Sequence, residues 1–185
     1  MDLLDLFGRH GGLRRRIEAS RVALFRVAYL WCHDRALADD LTQEALAKAL
    51  EHAEQLRDPG RLRPWLYGIL INCWRDHLRA LDPTEDIDGI DEHWLAVEPD
   101  TADLASWQQT ADRVRAAVQR LPSGQRAVLA LVALEEFSYS EAAGILGVPI
   151  GTVMSRLSRA RANLRRMLEG RPAPSAAAAH LRRVK

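Results

Sequence analysis

The sequence predicts an all-α fold: two small helical domains joined by an acidic linker, the C-terminal one a four-helix domain containing a helix-turn-helix. Three observations lead there. Apolar residues recur at helical spacing through most of the chain. Charge is segregated along it: residues 1–80 carry 13 Lys/Arg against 11 Asp/Glu, residues 81–112 carry none against 10, and residues 113–185 carry 13 against 4. The stretch from Ser138 to Met167 holds a helix start, a glycine stop and a second, longer helix. A basic C-terminal part set off by an acidic connector suggests a nucleic-acid module separated from another unit.

Bulk properties bound the answer. At 185 residues the chain holds one ordinary domain or two small ones, and at 48% hydrophobic and 28% charged it reads as soluble and globular. Its apolar runs fall far short of a membrane span. The start, MDLLDLFGRHGGLRRR, places acids before bases and has no apolar core ahead of a small-residue cleavage site, so it does not read as a secretory signal. Cys32 and Cys73 make no disulfide framework and fit free thiols of a cytoplasmic protein.

Residues 1–16, with Gly11-Gly12 and Arg14–Arg16, read as an unpacked arm or a short surface helix. From Ile17 to Cys32 the density of Val22, Leu24, Phe25, Val27, Ala28, Leu30 and Trp31, with little Gly or Pro, predicts a buried helix. Asp34 can cap the next one, in which Leu41, Ala45 and Ala49, with Leu46 and Leu50 beside them, form the inner side. Asp39, Asp40, Gln43, Glu44 and Lys48 are left partly outward. Asp58-Pro59-Gly60 marks a turn, and Pro64 opens a helix with Leu66, Leu70 and Cys73 on one side and Tyr67, Trp74 and Leu78 on another. A helix apolar on so much of its surface is central to a bundle or has a face used by a partner.

A helical domain over 14–81 thus precedes the linker, 82–105, in which Ile87, Ile90, Trp94, Leu95 and Val97 stand among acids. Pure linkers seldom carry so many large apolar groups, so part of it should lie on a domain. Helical spacing returns over Ala102–Arg120, is interrupted at Leu121-Pro122, and resumes over Arg126–Leu134, opening a domain over 106–170. Ser138 and Glu141 then make an S-x-x-E capping box, Gly147 ends that short helix, and Pro149 opens the long one. Val153, Leu157, Ala160, Leu164 and Met167 form its apolar stripe, while Thr152, Ser155, Arg156, Arg159, Arg161, Arg165 and Arg166 lie off it. A helix-turn-helix needs such an exposed basic side to put side chains into a major groove. An ordinary antiparallel helix pair with solvated arginines is the rival reading. Residues 171–185, rich in Pro and Ala, read as a frayed tail.

Two signatures resemble one family in its own order. ADDLTQEALAKAL followed by WLYGILINCWRDHLR is similar to the second conserved region of bacterial sigma-70-family factors, with Asp40, Gln43 and Glu44, then Asn72, Asp76 and Arg79, at its characteristic positions. LPSGQRAVLAL through FSYSEAAGILGVPIGTVMSRLSRARANL is similar to their fourth region, through Leu121, Pro122, Arg126, Gly151-Thr152-Val153, Ser155-Arg156 and Arg159-Ala160-Arg161. The whole resembles the two-domain extracytoplasmic-function type over residues 17–169. Two positions depart from the pattern: Ala142 replaces a larger aliphatic residue, and Met154 stands where a basic residue is common.

The resemblance implies a dissociable specificity subunit of RNA polymerase that performs no covalent chemistry and needs no cofactor. Its N-terminal domain would dock on the largest polymerase subunit through Asp40, Gln43 and Glu44. The same domain would capture the −10 promoter element as single strand with Asn72, Arg75 and Arg79, assisted by the loop over 55–63. Its C-terminal domain would sit on the second-largest subunit and read the −35 element as duplex. Thr152 and the first backbone amides of the long helix would take a phosphate there. Ser155, Arg156 and Arg159, outward and early in that helix, would approach base edges or backbone. An anti-sigma protein, often membrane-bound in this family, would hold the factor inactive at the inner membrane face.

Trp65, Tyr67 and Trp74 invite base stacking, with core packing as the competing account. Asp76 suits orienting Arg79 better than approaching DNA. Other classes fit less well. Cys32-His33 and Cys73 with His77 are far apart and lack metal-ligand spacing, and no phosphate loop or nucleophile motif occurs. A polymerase-independent helix-turn-helix regulator is the alternative; it would need a ligand or phosphorylation site in the N-terminal part, which has the wrong character for one.

Overall fold

The computed structural model describes residues 12–81 and 106–169, the side chains of 106–112 excepted. The linker over 82–105, the residues before 12 and the tail from 171 lie outside the described residues. Among those described, every element is a helix or a turn.

The single helix expected over Ile17–Cys32 is two. Residues 12–19 form α1 and Arg21–Cys32 form α2. At the joint the Ser20 hydroxyl donates to the Arg16 carbonyl at 2.9 Å, a local bond that competes with the helical ladder. Ile17 is fully buried, so α1 belongs to the core rather than to a loose arm. Leu24, Val27, Ala28 and Trp31 are the buried side of α2.

His33 ends α2 in the left-handed region, φ 57°, its N–H donating to the Tyr29 carbonyl. Asp34 then caps α3 (Arg35–Glu51), its carboxylate accepting from the N–H of Ala36 at 2.8 Å and of Leu37 at 3.1 Å. Leu41, Ala45 and Ala49 are buried, with Leu46 and Leu50 packed against the core beside them. Two single turns, Ala53–Gln55 and Pro59–Arg61, lead to α4 (Leu62–Leu81). It starts two residues before Pro64, which sits in the first turn, where an N–H has no helical partner to lose.

The C-terminal helices are α5 (Ser106–Gln119), α6 (Ser123–Leu129), α7 (Tyr139–Leu146) and α8 (Ile150–Leu168). The apolar helix expected to reach Leu134 widens over Ala130–Leu134 into a π-type turn. There the Glu135 N–H donates to the Ala130 carbonyl at 3.1 Å and the Phe137 N–H to the Leu131 carbonyl at 3.0 Å. Glu136 takes a φ of 57°, and this descent leaves both Glu135 and Phe137 buried.

The capping box of α7 is complete. Ser138 Oγ accepts from the Glu141 N–H at 3.2 Å while Glu141 accepts from the Ser138 N–H at 2.9 Å. Bonds from the Ser138 hydroxyl and backbone hold the Glu141 carboxyl below its ordinary range. Gly147 turns the chain with φ 66°, a conformation in which any Cβ is strained. Pro149 caps α8, and Val153, Leu157 and Ala160 are buried as the stripe predicts, with Leu164 and Met167 half-buried as the helix runs past the core.

One contiguous apolar cluster joins the two sets of helices. It runs from Leu24, Leu41 and Leu70 through Tyr67 and Ile71 to Leu131, Phe137, Leu146 and Leu157. Ala142 is fully buried. A second seam lies where Arg126 of α6 stands near the end of α2: burial first and the Arg126 charge second push the His33 imidazole down to about 4.

Replacing Ser138 by Ala should cost about 1 kcal/mol in denaturant unfolding, the usual value of a lost cap. His33 is neutral in the fold and titrates near 6.5 once unfolded, so the unfolded chain takes up its proton first. Its contribution is therefore full above pH 6.5 and declines as pH falls toward 4. His33→Asn, which tolerates the left-handed backbone, should show a smaller loss of urea midpoint between pH 7 and pH 5 than the parent chain.

Candidate nucleic-acid interface

Three polar surfaces carry the residues that the sequence singles out. On α3, Asp40, Gln43 and Glu44 are all exposed. Gln43 donates to Asp39 at 2.7 Å, Asp39 accepts from Arg21 of α2 at 2.8 Å, and Glu44 pairs with Lys48 at 2.7 Å. The Arg21 bond, then the Gln43 bond, holds the Asp39 carboxyl below its usual value. Solvated pairs of this kind contribute about 0–1 kcal/mol each, so the face is an organised polar strip that the fold does not need for its stability.

On α4, Asn72, Arg75 and Arg79 recur at helical spacing along one side. Asn72 and Arg79 are exposed, and Arg79 stands 3.5 Å from Asp76, the pairing expected for that carboxylate. Arg75 is half-buried because it donates to the Leu146 carbonyl at the end of α7. The aromatic side chains nearby belong to the core: Tyr67 is 2% and Trp74 6% exposed, and Trp65 is partly buried against the same cluster. Trp74 stacks on His77 with ring centroids 5.9 Å apart.

On α8, Thr152 and Ser155 are half-buried at the first turns and Arg159 is exposed. Ser155 Oγ donates to the Thr152 carbonyl at 3.1 Å. Arg156 differs from the expectation that it points outward, being 5% exposed. At 100° per residue it falls on the flank of the Val153–Leu157–Ala160 stripe, on the side it shares with buried Asn163. The buried arc of α8 is thus wider than its apolar stripe. Asn163 completes that flank by donating to Gln125 of α6 at 2.9 Å. A groove of about 480 Å³ runs along another side, lined by Tyr139, Met154, Ser158, Arg161 and Arg165.

Sequence reasoning missed the residues that join α4 to the C-terminal helices. Glu135 is 3% exposed, and its carboxylate takes Arg26 of α2 at 2.9 Å on one oxygen and Arg63 of α4 at 3.0 Å on the other. Arg63 also donates to the Glu135 carbonyl. The same guanidinium lies 4.6 Å above the ring of Phe137, which meets Tyr67 edge-on with centroids 5.1 Å apart. Burial first, then Glu135, pushes the Tyr67 phenol well above its ordinary value. The only local sign was an acid beside a large aromatic residue in a short loop, and nothing in that pattern names partners so far upstream.

Comparison with known proteins now bears on this geometry. A family model described as Sigma-70 region 2 matches residues 17–84, and one described as Sigma-70, region 4 matches residues 111–164. The chain is 39% identical over 133 residues to the ECF RNA polymerase sigma factor EcfG of Rhodopseudomonas palustris, covering 71% of each chain. It is 35% identical over 150 residues to the ECF RNA polymerase sigma factor SigM of Mycobacterium tuberculosis, covering 78% of this chain and 71% of that one. The chain belongs to the extracytoplasmic-function RNA polymerase sigma factors.

Solved structures agree with this assignment. The sigma factor RpoE of Bartonella quintana, crystallised with the anti-sigma factor NepR, superposes with a TM-score of 0.65 at 28% identity, covering 84% of this chain and 95% of that one. CnrH in complex with the cytosolic domain of CnrY gives 0.60 at 26% identity, covering 85% and 88%. As a sigma factor, the protein directs RNA polymerase to promoters. Among its described residues no helix is long and apolar enough to cross a membrane.

The ion triad is asymmetric: the carboxylate is dry while both arginines keep 54% of their side-chain surface. Removing both cations strands a buried charge, a loss on the order of 3–5 kcal/mol, whereas removing the acid leaves cations that reach water. Arg26→Ala/Arg63→Ala should therefore lower the urea midpoint more than Glu135→Ala does.

Proposed function

We propose that this sigma factor divides promoter recognition between residues 14–81 and residues 106–170, with 82–105 as the acidic connection. The observation that carries the reading is the occurrence of both family regions in order, each on its own set of helices. It works in the cytoplasm as a dissociable subunit and makes or breaks no covalent bond. The specificity lies in what each surface can hold.

The α3 strip of Asp40, Gln43 and Glu44 is the docking face for the largest polymerase subunit. Its carboxylates and amide suit basic and amide groups of a partner helix. Asn72, Arg75 and Arg79 act on the −10 element as single strand, where asparagine reads a base edge and arginine clamps phosphate or stacks on an unpaired base. The half-buried position of Trp65 and the buried one of Trp74 support a structural role for them over a stacking one.

Thr152, Ser155 and Arg159 act on the −35 duplex. The first backbone amides of α8, at the positive end of its dipole, favour a phosphate. Arg156 would have to leave its buried flank to reach a base, so its side chain serves first to hold α8 in place. Met154, 51% exposed on this helix, offers an apolar contact to a thymine methyl. The second-largest subunit binds the same C-terminal helices, and an anti-sigma protein, as NepR is in the similar RpoE complex, sequesters the factor between rounds of use.

Core polymerase loaded with this protein should start RNA at a defined set of genomic promoters, read by sequencing the transcripts. A protein that binds duplex yet cannot program core enzyme would instead be the polymerase-independent regulator. Arg159→Ala should weaken binding to the −35 duplex so identified, and the logarithmic salt slope should fall by about 1 where the lost contact is to phosphate. Arg156→Ala should act first on thermal unfolding, with a lowered midpoint in the absence of DNA.

A further inference from the structure

Helix α8 is seated on a narrow apolar stripe. Val153, Leu157 and Ala160 are at most 2% exposed, but aliphatic contact is non-directional and lets a helix roll or slide by small amounts. A buried polar contact supplies the missing direction. Asn163 Nδ2 donates to Gln125 Oε1 of α6 at 2.9 Å, and the two residues are 8% and 3% exposed. Arg166, one turn further on and half-buried, donates to Asn163 Oδ1. The cation therefore fixes which end of the Asn163 amide faces α6. Gln125 is itself held on a closed first turn, its N–H donating to the Pro122 carbonyl at 3.0 Å, between buried Leu121 and Val128.

Asn163 lies four residues past Arg159 and eight past Ser155, about 6 and 12 Å along the helix axis. A roll of about 20° moves a side-chain tip by about 2 Å at the outer radius of a helix, more than a hydrogen bond to a base edge tolerates. An amide pair of this kind adds little to stability, since apolar side chains of the same shape can fill its place at nearly equal free energy. What it adds is a preferred angle, as single buried polar residues do when they set the register of paired helices. We propose that Asn163 is a positioning residue for promoter reading. Its bond to Gln125, oriented by Arg166, fixes the rotation and rise of α8 against α6, and so the register in which Thr152, Ser155 and Arg159 meet the duplex. The proposal rests on α8 being the −35 reader.

The test uses core polymerase loaded with the full chain and a library of promoters randomised over the −35 element, the rest of each promoter being one that the parent chain transcribes. Base preference at each position is read from transcript counts, and stability from the urea midpoint of the free chain. Gln125→Met/Asn163→Leu replaces both amides by apolar groups of similar shape. It should unfold at the parent's midpoint yet lose about tenfold in preference for the best base at one or more −35 positions. Output from the least favoured sequences should stay at the parent's level. Asn163→Asp can accept from Arg166 and from a turned Gln125 amide, so it should keep the parent's preference. Arg166→Met leaves the buried pair in place and should lower preference about threefold, because the Asn163 amide is then free to turn. A folded double variant with the parent's preference at every position would overturn the proposal. So would a lowered midpoint with output reduced evenly across the library, the result that a purely structural pair predicts. Should the double variant not fold, Arg166→Met decides by the same criterion, and unchanged preference there overturns the positioning role. The −35 assignment of Arg159 fails separately, if Arg159→Ala leaves preference unaltered while the double variant lowers it.

Discussion

Helix α4 is apolar on two sides, and the chain has to supply cover for both. Leu66, Leu70 and Cys73 are buried toward one side of the helix. Tyr67 turns a second side toward Phe137, beyond the π-type turn. An uncovered aromatic and aliphatic surface of that length would cost more than the polar seam that accompanies its burial. The joining of two helical sets into one core follows from this helix, as does the position of the helix-turn-helix over the end of α4.

Covering the second side drags charge inward with it. Phe137 cannot reach Tyr67 without carrying Glu135 through the same short descent, and a carboxylate that is 3% exposed needs cations. Two arginines provide them while keeping much of their own surface wet. Such an arrangement contributes less to stability than an apolar replacement of equal volume could, and more to geometry. The guanidinium of Arg63 is fixed at once by a carboxylate, a carbonyl and an aromatic face, so the register between α4 and the loop before α7 is well specified. Apolar contacts alone would allow it to slide.

What was legible in the sequence was local. Asp34, the Ser138–Glu141 box and Gly147 each act through atoms a few residues away, so their roles follow from spacing alone. The all-α class and the buried stripe of Val153, Leu157 and Ala160 follow from periodicity. Arg156 misled because the apolar stripe marks only the centre of a buried arc, and a long polar side chain at its margin can be enclosed by its neighbours. The break at Ser20 and the π-type turn escaped because neither carries Gly or Pro. The two apolar sides of α4 were visible, but the identity of the second cover was not. Arg26 and Glu135 are 109 positions apart, and no pattern of spacing reports a pairing at that distance.

The separation in sequence also orders events at the ribosome. Helices α1 to α4 are made first and can assemble around Leu24, Leu41 and Leu70 while the rest of the chain is still being translated. The Tyr67 side of α4 then waits, wet and adhesive, until Phe137 has been added and has cleared the exit tunnel. At about 5–20 residues per second that is an interval of several seconds. A nascent sigma factor therefore carries a temporary sticky surface, and whatever shields it in that interval governs how much of the protein reaches its finished form.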